Sequence, residues 1–92
     1  MDLDVQHDEA AGKYYAVVDG HEAVCEYTRG ADGTLTFFHT YVPPELRGRG
    51  IADELVRRAL EDVRARGLKV VATCWFVRAY IDRHPEYQAA LA

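Results

Sequence analysis

Short strand-like runs punctuated by Gly and Pro fill the first 42 residues, and apolar positions recur with a period near 3.6 after residue 50, so strands precede a helix. Four strand-like runs, at residues 3–7, 13–18, 22–28 and 34–42, are divided by Ala11-Gly12, Asp19-Gly20 and Gly30-Ala31-Asp32-Gly33. Connections this short predict an antiparallel meander. In the fourth run Leu35, Phe37, His39 and Tyr41 alternate with Thr36, Phe38, Thr40 and Val42. Both sets hold large apolar groups, which predicts a central strand covered on both faces and puts His39 in or near the interior. Pro43-Pro44 ends the strand, because proline cannot donate to a ladder. From about Gly50, a helical stripe of Ile51, Leu55, Ala59, Leu60 and Val63 runs to Gly67, a helix-ending glycine. Residues 68–73 suit a short buried strand, and Phe76, Tyr80 and Ile81 predict a second helix stopped near His84-Pro85. The order of four strands, helix, strand, helix gives an α+β fold. Its mixed sheet joins an antiparallel meander to a strand-helix-strand crossover with parallel strands, and helices pack on the sheet.

Ninety-two residues make one domain, 1–92, and a domain this small has few side chains to spare beyond its core and one site. With 49% hydrophobic and 28% charged residues the chain is too apolar to be disordered. Its longest apolar stretch, 70–77 broken by Thr73, falls short of the ~20 residues that cross a bilayer, so no membrane partner is expected. Met1-Asp2-Leu3-Asp4 has neither the basic nor the apolar region of a signal peptide, and the expected location is cytoplasmic. Cys25 and Cys74 lie 49 residues apart, while His7, His21, His39 and His84 are scattered singly, so no metal site is expected. The expected state is a monomer or weak homodimer.

The net charge of -4 hides an asymmetry: residues 1–46 carry nine acids and two bases, residues 47–92 six acids and nine bases. An acidic protein is a poor nonspecific nucleic-acid binder, but the arginines that begin at Arg47 suit a compact anion such as a phosphorylated small molecule. Asp53–Arg57, Glu54–Arg58 and Asp62–Arg66 are i,i+4 pairs with the acid first, so the arginines of this helix read as a solvated, salt-bridged face.

The most informative segment is Arg47-Gly48-Arg49-Gly50-Ile51-Ala52, between the end of the fourth strand and the start of the helix. Glycines let a backbone approach an oxygen-rich ligand, and free N–H groups at a helix N-terminus favour anions. It is a candidate pyrophosphate cradle; a plain helix entry is the competing reading. No Gly-Lys-Ser/Thr is present for a nucleotide-triphosphatase loop, and the third glycine of a dinucleotide fingerprint is missing.

The segment Val42-Pro43-Pro44-Glu45-Leu46-Arg47-Gly48-Arg49-Gly50-Ile51-Ala52 resembles the acetyl-CoA signature of the GNAT N-acetyltransferase superfamily, Gln/Arg-x-x-Gly-x-Gly/Ala, placed after the fourth strand. His39-Thr40-Tyr41-Val42-Pro43, Cys74-Trp75-Phe76-Val77 and His84-Pro85-Glu86-Tyr87 resemble its short single-domain branch, so the likeness covers about residues 35–90. The resemblance implies a GNAT-like fold and acyl transfer from acetyl-CoA to an amine, with pyrophosphate held by the backbone of Arg47, Gly48, Arg49, Gly50, Ile51 and Ala52. The splayed fourth strand would hold the pantetheine arm, near Tyr41 and Val42. The chain departs from the pattern in lacking the helical segment that larger relatives insert after the first strand. The usual asparagine after the fifth strand is replaced by the region of Cys74.

Amine acetylation needs a deprotonated nucleophile, a polarised carbonyl and a stabilised thiolate, so a base and an acid should lie beside the loop. His39 is a candidate base because its strand leads into the loop; a buried, hydrogen-bonded histidine is the alternative. Cys74, at the end of the fifth strand, can face the thioester sulfur, accept an acetyl group, act as a base, or simply pack. Cys25 reads as a core cysteine. Tyr80 lies near the position where many superfamily members place a general-acid tyrosine, and Arg49 or Arg83 is a candidate contact for the 3′-phosphate of CoA. The acceptor amine, protein, peptide or small molecule, is not specified by these residues, and a non-catalytic acyl-CoA-binding or protein-interaction module would carry the same cradle.

Overall fold

A computed structural model describes residues 3–92; Met1 and Asp2, which open the acidic N-terminal stretch, lie outside the described residues. Strands β1 (Gln6–Asp8), β2 (Lys13–Val18), β3 (His21–Arg29), β4 (Leu35–Tyr41) and β5 (Val70–Ala72) form one sheet in sequence order. Pairing is antiparallel up to β4 and parallel between β4 and β5, with helix α1 (Ile51–Ala65) as the crossover. Helix α2 (Trp75–Arg83) and a 3-10 turn (Pro85–Ala90) follow. This is the mixed sheet with packed helices expected from the order of periodicities.

The first strand is shorter than the expected run at 3–7, because only Gln6, His7 and Asp8 find partners on β2. Leu3 instead packs into the core, its carbonyl accepting from Arg58. The β2–β3 hairpin turns through Asp19 and Gly20 at φ 52° and 78°, the left-handed pair that a two-residue turn needs to match strand twist. At Gly12, φ is 70° and a Cβ would sit 2.6 Å from the Tyr27 carbonyl, so only glycine fits.

Helix α1 buries Ile51, Leu55, Val56, Ala59, Leu60 and Val63 and packs on β2 and β3. Each such Leu, Ile or Val contributes about 1.5–3 kcal/mol by leaving water. The helix ends as expected at Gly67: the Gly67 amide donates to Arg64 and the Leu68 amide to Val63, and Gly67 takes φ 67°. Helix α2 packs beside α1 and against β4 and β5, burying Val77, Tyr80 and Ile81. The fifth strand covers three residues instead of six, since Leu68 and Lys69 precede the ladder and Thr73 leaves it. On its other edge the C-terminus adds a parallel bridge between Val70 and Leu91, which the sequence pattern did not indicate.

The expectation that β4 is covered on both faces is overturned. Buried sheet residues such as Tyr14, Ala16, Ala23, Cys25, Leu35, Phe37 and Val70 all face the helices, while Val17, Phe38 and Val71 stay exposed on a face that carries no helix. The register between β3 and β4 steps from Glu26–His39 to Tyr27–Phe37, so Phe38 is the extra residue of a β-bulge. The bulge reverses the alternation. Thr40 turns to the core beside Cys25, and His39, expected in the interior, is exposed on the bare face with Tyr41, its ring stacked on that tyrosine at 6.4 Å.

Candidate active site

The parallel strands β4 and β5 share three rungs, Leu35–Val70, Thr36–Val71 and Phe37–Ala72, and then part. The amides of Thr73 and Cys74 both donate to the Phe37 carbonyl at 3.0 Å, closing the ladder, and β4 runs on alone to Tyr41. The gap is a cleft of about 650 Å³ lined by Phe38, His39, Tyr41, Cys74, Trp75 and Phe76. Successive strand residues point to opposite faces, so the cleft holds side chains from both, and the bulge sets Thr40 on the helix side and His39 on the bare side.

At the end of β4 the chain passes through a 3-10 turn (Pro44–Leu46), whose Leu46 is fully buried, and then the glycine loop. Gly48 and Gly50 take φ 83° and 76°, and Gly50 is the N-cap of α1. None of the amides at 48–53 donates to a backbone carbonyl among the described residues, so a run of donors faces outward at the positive end of a 15-residue helix. A hollow of about 150 Å³ lies against Val42, Gly48, Gly50, Ala52 and Phe76. The loop arginines fasten this frame. Arg47 turns back, its Nε donating to the Val42 carbonyl at 2.9 Å and its guanidinium lying 5.8 Å from the Tyr41 ring. Arg49 reaches the Asp19 carboxylate at 3.0 Å and the Glu45 carbonyl at 3.3 Å. Both loop arginines thus have partners within the chain.

Cys74 caps α2 and is almost fully buried, its Sγ 3.5 Å from Thr40 Oγ1. Thr40 in turn donates toward Cys25 Sγ at 3.8 Å. Cys25 has no exposed surface, and burial pushes its thiol up to about 12, so it stays protonated. The threonine was missed from sequence; the break in the period of two across residues 37–40 was the available signal. Trp75, 78% exposed, stands at the rim and was likewise not singled out.

Tyr80 is not brought to this cleft. It lines a separate cavity of about 560 Å³ beside the loop, with Arg49, Asp53, Arg57, Arg83 and His84. Its ring stacks on His84 at 3.9 Å, and burial raises its pKa above the ordinary tyrosine value. Three of this cavity's residues are arginines, but they are partly neutralised. Arg83 lies 3.6 Å from Asp53, and Arg57 bonds Glu54 at 2.7 Å, replacing the expected Asp53–Arg57 pair. The expected Glu54–Arg58 and Asp62–Arg66 pairs form at 3.9 and 3.2 Å. Among the described residues no group of three or more His, Cys, Asp or Glu could hold a metal, and no helix is long and apolar enough to cross a membrane.

Residues 13–90 match the family model of the GCN5-related N-acetyl-transferase. The chain belongs to that family. It is 35% identical to Protein NATD1 of Xenopus tropicalis over 83 residues, covering 88% of this chain and 76% of the relative. Protein NATD1 of Homo sapiens is also 35% identical, with 88% and 74% covered. Protein NATD1 of Danio rerio is 33% identical over 89 residues, with 92% and 81% covered. The fold is similar to the NMR solution structure of a GCN5-like protein from Staphylococcus aureus, with a TM-score of 0.72, 28% identity, and 98% of this chain and 88% of the other covered. The GCN5-related family read from the loop and its flanking motifs is thus the one this chain belongs to.

Proposed function

We propose that the protein transfers an acetyl group from acetyl-CoA to a primary amine. The observation that carries this reading is the junction of two features: a cleft where β4 and β5 part, and, at its end, a left-handed glycine loop with outward amides at 48–53. The unpaired amides of Gly48, Arg49, Gly50, Ile51 and Ala52 suit a pyrophosphate, while the Arg47 amide, expected in the cradle, donates instead to the Pro44 carbonyl at 3.3 Å; the cleft past Tyr41 and Val42 suits an extended pantetheine arm. The neighbouring arginine-lined cavity offers Arg49 and Arg83 to a 3′-phosphate, provided each exchanges its present carboxylate partner.

In the reaction the amine nitrogen forms a bond to the thioester carbonyl carbon, the C–S bond breaks, and the sulfur leaves with the electron pair. His39, open to the bare face, is suited to receive the proton released by the amine. Cys74, whose thiol borders the cleft and meets the Thr40 hydroxyl, is suited to lie beside the sulfur, where it can protonate the departing thiolate. The acceptor approaches from the helix-free face, since α1 and α2 cover the other. A free thiol assay with acetyl-CoA and a panel of primary amines tests the reading. Amine-dependent release of CoA above the uncatalysed rate supports it; binding of acetyl-CoA with no turnover for any amine would leave an acyl-CoA-binding module instead.

A further inference from the structure

We propose that Glu26, on β3, is the acceptor-recognition residue: its carboxylate binds the ammonium of a primary alkylamine beside His39 on the helix-free face of the sheet. The inference rests on the acetyl-transfer reading and adds to it the charge of the acceptor and the side chain that selects it.

The register carries the argument. Glu26 stands directly across from His39, and its chain neighbours Cys25 and Tyr27 are buried toward the helices, so Glu26 points to the bare face as His39 does. Opposed residues of an antiparallel pair hold their Cβ atoms about 4.5–5.5 Å apart, within reach of one ammonium group. Without the bulge at Phe38, this juxtaposition would not exist, since His39 would share the face of Phe37.

Glu26 is also the carboxylate in this row left without a cation. On its other side it is paired in register with Lys13. The Lys13 ammonium, however, is drawn away along β2: it passes 4.9 Å from the Tyr15 ring and donates to Glu22 at 3.0 Å. Among the described residues Glu26 takes part in no ion pair and no side-chain hydrogen bond. Nearby, Phe38, Tyr41 and Trp75 expose apolar surface at 46%, 43% and 78%, suited to the methylene stem of an alkylamine. A carboxylate holds the amine in its charged form until a proton passes from nitrogen to the His39 imidazole; the freed lone pair is then the nucleophile. Glu26 is a positioning residue in this scheme and donates no proton itself.

The test uses isotope-labelled protein and two blocked tripeptides, acetyl-Gly-Lys-Gly-amide and its norleucine isostere, with 1,4-diaminobutane in a parallel arm. The lysine probe should shift resonances of Glu26, Phe38, His39 and Trp75, and bind about tenfold more tightly than the norleucine probe, the worth of one charge-assisted contact. Glu26→Gln should abolish that preference, with its amide spectrum reporting an intact fold. Tighter binding of the diamine than of the tripeptide assigns the ammonium to a small molecule, the reverse to a polypeptide, and either supports Glu26. Equal binding of lysine and norleucine probes, no binding of any amine, or a lysine preference that survives Glu26→Gln overturns the proposal. A separate titration with acetyl-CoA bears on the acetyl-transfer reading alone, because its contacts lie at the loop.

Discussion

Gly50 and Gly20 form a natural pair for separating a binding role from a backbone one. Their φ values are 76° and 78°, and at both a Cβ would meet no atom within 4 Å. Alanine at either position therefore costs backbone strain alone, about 1–2 kcal/mol for an L-residue in the left-handed region. In a domain this size that corresponds to a fall in Tm of roughly 4–8 °C per kcal/mol. The two sites differ in surroundings: Gly20 lies in the β2–β3 turn, whereas Gly50 lines the hollow at the start of α1. A methyl group at Gly50 occupies space needed for a phosphate to reach the amides, so one or two charge-assisted hydrogen bonds are lost, each worth about 1.5–3 kcal/mol. Gly50→Ala should weaken acetyl-CoA by tenfold or more. Gly20→Ala should bind it like the natural protein. Thermal unfolding with and without acetyl-CoA reads both quantities. Equal ligand-induced gains in Tm for the two variants would refute the cradle, and a Gly20→Ala protein with undiminished Tm would refute the strain estimate.

Three further outcomes follow from the same contacts. His39→Ala should lower amine acetylation by about 100-fold or more while acetyl-CoA still binds, and Cys74→Ala should lower turnover as well; unchanged rates in both variants would remove both from the chemistry. Tyr14 donates to Asp62 at 2.6 Å across the β2–α1 packing, so Tyr14→Phe should cost about 1 kcal/mol, read as a Tm lower by several degrees; an unchanged Tm would mean water replaces the hydroxyl at no cost. His7, stacked on Tyr14 at 3.9 Å, has its pKa lowered from 6.5 by burial first and by the Arg66 guanidinium second. The folded state thus prefers the neutral ring. Its contribution is complete above about pH 6.5 and drains away as pH falls through the lowered folded value. A Tm-against-pH series should fall more steeply as pH drops below about 6.5 for the natural protein than for His7→Gln, and parallel curves would contradict it.

Much of the fold was legible because short connections, a change of period and a terminating glycine each have one mechanical meaning. The hairpin at Asp19-Gly20, the end of α1 at Gly67 and the parallel crossover all stand where those signals put them. The loop at Gly48 and Gly50 was legible for a similar reason, since left-handed glycines before a helical stripe leave amides exposed. The two faces of β4 were not. A strand with apolar residues at both parities reads as covered on both sides, but here one extra residue, Phe38, reverses the parity midway and leaves an apolar face open. His39 moved from expected core to exposed cleft wall on that account, and Glu26 gained its neighbour. Tyr80 illustrates a different limit. Helical spacing placed it on the inner face of α2, yet which cavity it borders depends on how α2 lies against α1, and no local pattern encodes that angle.

The most direct measurement is an amide NMR titration of labelled protein with acetyl-CoA, which gives site and affinity together. Saturable shifts centred on Arg47, Gly48, Arg49, Gly50, Ile51 and Ala52, extending to Tyr41, Val42 and Cys74, are the predicted result. No shift at these residues with millimolar acetyl-CoA would contradict it and reduce the glycine loop to the entry of a helix.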